Sequence, residues 1–395
     1  MNHHKAPAPD PHDFLAVDAD LSDTERDVRD AVRAFGTREL LPHVADWFDA
    51  GTLPDPRGLA KAFGDLGVLG MHLEGYGCGG SGAVAYGVAC RELEAVDSGL
   101  RSFVSVQGSL AMAAIHRYGS EEQKEHWLPR MAAGEAIGCF GLTEPDSGSD
   151  PGSMRTRARE DGSDWVLDGT KMWITNGSVA DVAVVWAATD DGIRGFVVPT
   201  DTPGFTANVI HKKLSLRASI TSELVLEGVR LPADAVLPAS RGLGSPLSCL
   251  NEARYGIVWG VAGAARACYE AALEYAGTRE QFGRPIGGFQ LTQRKLADMV
   301  VDVNHATMTA LRIGRLKDQG LAHHNHVSFG KFANVAAAQR VASAARSVHG
   351  ANGITLEYPV MRHMVNLETV ATYEGTEEIH ALSIGQAVTG ISAFR

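Results

Sequence analysis

Between residues 165 and 226 a run of short β-branched and aromatic segments interrupts a chain that reads as helix on both sides. Trp165-Val166-Leu167, Asp181–Ala187, Gly195–Pro199, Phe205–Ile210 and Ser222–Leu226 are separated by Asp-Gly, Asn-Gly, Pro-Gly and Glu-Gly steps, the chemistry of tight turns. That spacing predicts a compact antiparallel barrel or sandwich of roughly 100 residues. No helix-length pattern alternates with the strands, which argues against a parallel doubly wound sheet.

The flanks follow a different period. Residues 1–13 carry little apolar content and are expected to form a mobile tail. The Ser22-Asp23-Thr24-Glu25 cluster caps an amphipathic run through Leu41, and helical patterns continue to about Met131. From about Leu243 the helical period returns in four long segments, Cys249–Thr278, Gln290–Gln319, His326–His349 and Val360–Thr372, which read as a bundle. The expected architecture is α+β and multidomain: a helical domain over 14–135, a β-barrel domain over 136–240 and a four-helix-bundle domain over 241–395.

Composition narrows the function classes. A chain of 395 residues with 45% hydrophobic content buries a substantial core without staples. Lys and Arg number 36 against 47 Asp and Glu, and the net charge of −11 argues against nucleic acid or an anionic membrane as the main partner. No apolar run is long enough to span a bilayer. No signal sequence opens the chain. Cys78, Cys90, Cys139, Cys249 and Cys268 form no C-x-x-C pair, which points to a reducing, cytoplasmic setting and to no metal site.

Several motifs have two readings each. Gly75-Tyr76-Gly77-Cys78-Gly79-Gly80 satisfies G-x-G-x-x-G, but no strand precedes it, so an ordinary loop is expected. His323, His324 and His326 lack helical ligand spacing and are expected in a solvated loop. Phe140–Asp150 mixes permissive glycines with hydroxyls, which suits either a phosphate or heterocycle cradle or a polar interdomain turn. Trp173–Gly177 is either an aromatic platform beside a hydroxyl or a hairpin end. Glu374, between Tyr373 and Gly375 just past a helix, is either a desolvated base or a surface turn residue. Arg101 is either a carboxylate fork or half of a surface ion pair with Glu94.

Together these segments resemble the acyl-CoA dehydrogenase family, and within it the glutaryl-CoA dehydrogenases. The resemblance rests on Arg91–Ser102, Cys139–Asp150, Lys171–Asn176, Asn251–Gly260, Arg279–Ile286, His349–Pro359 and Tyr373–His380, in that order. It implies FAD between barrel and C-terminal helices, against Phe140, Leu142, Thr143, Gly148, Ser149, Trp173 and Thr175. Arg279, Gln281, Phe282 and Gln290 match positions that reach a neighbouring subunit's cofactor, so a homotetramer is implied. Gly350 and Gly353 match a close approach to the dinucleotide, and Thr376 and Glu378 match residues flanking it.

The resemblance also assigns chemistry. Glu374 matches the base that removes the α-proton, and Tyr373 its neighbour in decarboxylating members. Ser149 and Arg254 match positions near the thioester-linked CoA. Glu94, Arg101 and Ser102 match residues around a distal carboxylate, and Arg suits that task because its planar fork stays ionised. The implied reaction converts glutaryl-CoA to crotonyl-CoA and CO₂, with electrons passed to an electron-transferring flavoprotein. The alternative is dehydrogenation of another carboxylated acyl thioester, on CoA or a carrier protein, in a biosynthetic pathway. Ala253, immediately before Arg254, cannot serve as a base, and Glu252 is expected to face away.

Overall fold

The computed structural model describes residues 7–393. Of the tail expected over 1–13, residues 1–6 lie outside the described residues. The remainder is not a free tail, because Tyr269 Oη donates to Pro11 O at 3.0 Å and Leu15 N to Asn304 Oδ1 at 3.0 Å. Asp13 then accepts from the backbone of Val17 and Asp18, which starts the first turn.

The first region is helical: α1 (Asp23–Phe35), α2 (Val44–Ala50), α3 (Pro56–Asp65), α4 (Ala83–Val96), α5 (Ser98–Ser105), α6 (Ala113–Tyr118) and α7 (Glu121–Ala132). Ser22 and Glu25 form the expected reciprocal cap on α1. Helix α4 is buried on nearly every side, so it has no polar face to show. The break after it follows from Asp97, whose carboxylate accepts from Gly99 N at 2.7 Å, from Arg362 at 2.6 Å and from Asn366 at 2.9 Å. That cap turns α5 across the end of α4. The glycines at 75–80 sit in the connecting loop, as expected.

The middle region is one curled sheet of β1 (Gly138–Gly141), β2 (Arg157–Asp161), β3 (Asp164–Thr175), β4 (Val182–Thr189), β5 (Gly192–Pro199), β6 (Phe205–Val209) and β7 (Thr221–Leu231). It is antiparallel except around β4, which runs parallel to β1 over Gly138↔Val182 to Gly141↔Val185 and touches β2 in parallel at Arg157↔Ala188. The sequence of β1 is too short and its glycines too frequent to signal that pairing. In β3–β7 the register slips between Lys171 and Ile174, and Trp173 there adopts φ +64°.

The last region holds α8 (Gly244–Thr278), a small hairpin of β8 (Glu280–Gln281) and β9 (Arg284–Pro285), α9 (Gln290–Asp318), α10 (His324–Val348), α11 (Pro359–Thr372) and α12 (Glu377–Thr389). The expected four helices are thus joined by α12, which Thr376 caps and Glu377 and Glu378 open. His323 is itself the cap of α10 and pairs with His326, so this histidine group starts a helix and is not a loop. Helices α4 and α8 cross at backbone distance. A Cβ on Gly263 would lie 1.9 Å from Arg91 O, a contact only glycine permits. Among the described residues no helix is long and apolar enough to cross a membrane, and no group of three His, Cys, Asp or Glu is placed to hold a metal.

Candidate active site

Four residues, Tyr373 to Thr376, link α11 to α12, and the turn is strained. Glu374 has φ +55° and Gly375 φ +95°. A left-handed conformation costs a non-glycine residue about 1–2 kcal/mol, so surrounding contacts have to hold it. They are cations on separate helices. Arg254 Nε on α8 donates to Glu374 O at 2.6 Å, and Lys331 Nζ on α10 donates to Tyr373 O at 2.7 Å and Gly375 O at 2.6 Å. Three consecutive carbonyls are thereby fixed. The turn itself is partly open, whereas Glu374 Oε2 is buried and has no hydrogen-bond partner among the described residues.

Burial raises the pKa of Glu374 against the opposing pull of Arg101, Lys331 and Arg254. Burial likewise pushes the Lys331 amine down to about 7, and it lowers the Arg254 pKa. The Tyr373 phenol is pushed up by burial and stays protonated at neutral pH. Glu252 faces away from this turn, as expected, and pairs with Arg117 and Lys317 at 2.7 and 2.8 Å.

Beneath the turn lies the second part of the site. Arg101 and Glu94 are both fully buried and pair through Nε and Oε2 at 2.7 Å. This excludes the surface ion pair. Arg101 Nη2 also donates to Tyr373 Oη, and Ser102 Oγ lies 3.2 Å from the same hydroxyl. Arg101 Nη1 is buried with no partner among the described residues, as is Glu94 Oε1. Unsatisfied buried polar atoms are uncommon, and a charged donor is the most costly kind. The pair fits because α8 offers Gly260 opposite it, where a Cβ would lie 1.9 Å from Glu94 Oε2.

The third part is the strap after β1. Lys171 Nζ reaches back from β3 to Glu144 Oε1 at 2.8 Å and Leu142 O at 3.1 Å, and Met172 N donates to Thr143 O at 2.8 Å. The Thr143 backbone therefore meets the strand next to Trp173, a residue 59% exposed at the register slip. Phe140 and Leu142 are buried under the strap, with Phe140 against Trp186 at 5.9 Å. Thr175 is half-buried at the end of β3, while Gly148 and Ser149 are exposed at the tip of the following turn. Burial pushes the Lys171 pKa down to about 8 despite Glu144. Lys171→Met leaves Glu144 buried with only its backbone donors, Arg155 N and Thr156 N. A loss of about 3 kcal/mol is expected, read as a lower denaturant midpoint by circular dichroism.

A fourth group stands apart on the outer face. Arg279 and Gln281 line an open groove with Tyr275, His349 and Gly350, while Phe282 is 94% exposed and Gln290 opens α9 at the surface. Gly353 is buried within the turn after α10, where a Cβ would meet Arg346 O at 2.4 Å. Thr376 caps α12 and Glu378 is exposed in its first turn. Sequence reasoning missed Lys331 and the roles of Lys171 and Gly260. Each is an ordinary helix or strand position by local pattern, and only the fold brings its partner to it.

Comparison with known proteins shows the family to which the fold belongs. Family models described as Acyl-CoA dehydrogenase N-terminal, middle and C-terminal domain match residues 22–135, 139–229 and 240–389. The crystal structure of a glutaryl-CoA dehydrogenase from Mycobacterium smegmatis is 64% identical, with a TM-score of 0.96 over 98% of this chain and 100% of that one. A glutaryl-CoA dehydrogenase from the same organism in complex with FADH2 is 61% identical, with the same TM-score and coverage. The human mitochondrial short-chain specific acyl-CoA dehydrogenase is 36% identical over 92% of this chain and 90% of its own length.

Proposed function

The chain belongs to the acyl-CoA dehydrogenase family, and on that premise we propose that it oxidatively decarboxylates glutaryl-CoA to crotonyl-CoA and CO₂. One observation carries the choice of substrate: Arg101 is fully buried, and its Nη1 has no partner among the described residues. Glu94 offsets the charge of Arg101, yet one donor of the guanidinium fork is left for a second carboxylate. A fatty acyl chain would leave that donor unsatisfied at a cost of about 1–3 kcal/mol. The 64% identity to a glutaryl-CoA dehydrogenase supports the same reading.

The residues around Thr143, Trp173 and the Arg279–Gly350 groove fit FAD. An uncovered aromatic ring beside a hydroxyl suits a flavin edge, and a groove holding an arginine and a positive-φ glycine suits a dinucleotide phosphate. When bound, FAD supplies the acceptor for the β-hydride. The groove's exposure, with the exposed Phe282 in the adjoining hairpin, fits a neighbouring subunit's cofactor in a homotetramer, and the exposed Ser149 is assigned to the CoA portion.

The chain's own work is then proton and charge handling. Glu374 removes the α-proton from a thioester held over the turn, and Arg101 with Ser102 holds the distal carboxylate on the other side of Tyr373. After dehydrogenation the γ-carboxylate leaves as CO₂, and its electron pair enters the system conjugated to the thioester. Protonation at the γ-carbon gives crotonyl-CoA, and the proton that Glu374 took from the α-carbon is assigned to this step. The reducing equivalents pass to an electron-transferring flavoprotein. Mass spectrometry of products from glutaryl-CoA with an artificial electron acceptor tests this. Crotonyl-CoA with one CO₂ per turnover is expected, and glutaconyl-CoA as the end product would remove the decarboxylation step.

A further inference from the structure

Lys331 lies on α10, 42 residues before the turn, and is 1% exposed. A buried ammonium is costly, so its position asks for a reason. Both of its hydrogen bonds go to the peptide carbonyls on either side of Glu374. Neither hydrogen bond goes to the carboxylate of Glu374 or of Glu94. It lines a small groove together with Phe332, Val335, Ala371 and His380. Resting on the assignment of Glu374 as the base, we propose that Lys331 is the positioning residue of that base: it clamps the carbonyls of Tyr373 and Gly375 so that Glu374 keeps its left-handed backbone and aims its carboxylate at the α-carbon.

Geometry distinguishes this clamp from a general packing contact. A helix-to-helix turn of four residues has few backbone contacts of its own, and Glu374 contributes the strained φ of +55°. Arg254 holds the middle carbonyl from one side, and Lys331 holds the two outer ones from the other. Releasing the outer pair lets the peptide relax towards ordinary φ, which swings the carboxylate. A misplacement of about 1 Å at a reacting group can cost about 100-fold.

The second consequence is electrostatic. The groups facing Glu374 are Lys331 on α10, Arg254 on α8, Arg101 on α5, Glu94 and Cys90 on α4, Tyr373 in the turn and His380 on α12. Removing one cation from this set leaves the carboxylate less favoured. The pH at which the base ionises therefore rises.

The test uses the holoenzyme and 3,3-dimethylglutaryl-CoA, whose β-carbon has no hydrogen to lose, so only α-proton removal is seen. Deuterium uptake at the α-carbon is followed by mass spectrometry across pH. Lys331→Met is expected to slow exchange about 100-fold and to move the acid limb to higher pH, with thioester affinity near that of the parent. Unchanged rate and limb overturn the inference, as does a slower rate with an unmoved limb. If the Met variant does not fold, Lys331→Gln, which keeps an N–H donor without the charge, is expected to move the limb, and an unmoved limb overturns the proposal. Glu374→Gln is run beside it. Exchange surviving in that variant removes the base assignment itself, whereas its loss beside a normal Lys331→Met removes only the clamp.

Discussion

Glu374→Gln is expected to lower flavin bleaching by substrate by about 10²–10⁴-fold, while the thioester still binds. The amide keeps the shape of the carboxylate and the backbone clamp, because Arg254 and Lys331 hold carbonyls and not the side chain. What it loses is the carboxylate proposed to accept the α-proton. Of the positions near Arg254, Ala253 has no proton acceptor and Glu252 is held by Arg117 and Lys317. Stopped-flow absorbance checks this, and near-normal bleaching would place the base elsewhere. In the parent enzyme, kcat/KM should fall as pH drops through the folded pKa of Glu374, which burial holds above the ordinary 4.5.

The same shift makes a stability statement with a definite sign. A carboxyl whose pKa is raised on folding favours the fold below its unfolded value and opposes it once ionised. Glu374 therefore costs stability above its folded pKa. The Gln variant is expected to melt no lower than the parent at pH 8, and that advantage shrinks towards pH 4.5. A thermal melt at the two pH values reads it directly.

How much of this was legible in the sequence depends on whether a residue's partner is local. Glu94 and Arg101 lie seven residues apart around a helix break, so their meeting was readable, although their complete burial was not. The Ser22 cap and the strand turns are local chemistry and appear where expected. Helix α12 carried its own start signal in Thr376-Glu377-Glu378, which went unread. Lys331 gives no local sign, because Phe329-Gly330-Lys331-Phe332 is an ordinary helical stretch whose partner lies beyond another helix. Trp173 stands out only because the β3–β7 register slips beside it, and slippage is a property of two strands, not one. The register of Arg279–Gln290 on the outer face is legible only through resemblance.

Arg101→Leu is the test of substrate choice. In the parent, the guanidinium is fixed on one edge by Glu94 and on another by Tyr373 Oη, with Nη1 left over. A distal carboxylate arriving there meets a preorganised, desolvated donor, and the gain is largest where water is excluded. Leu removes the donor and leaves Glu94 buried against Gly260 with no cation, so a bound diacid now faces a like charge. Losing one partner of such a pair commonly costs about 2–5 kcal/mol, or roughly 30- to 5,000-fold in kcat/KM. An uncharged butyryl or pentanoyl thioester brings no charge to that end and should lose far less. Because the unpaired Glu94 can weaken the fold itself, the double variant Glu94→Gln with Arg101→Leu removes that burden. It is expected to keep the discrimination against glutaryl-CoA while recovering stability. Kinetics with both thioesters on parent, single and double variants separate the effects, and an equal fall for charged and uncharged substrates would end the assignment of Arg101 as the carboxylate anchor.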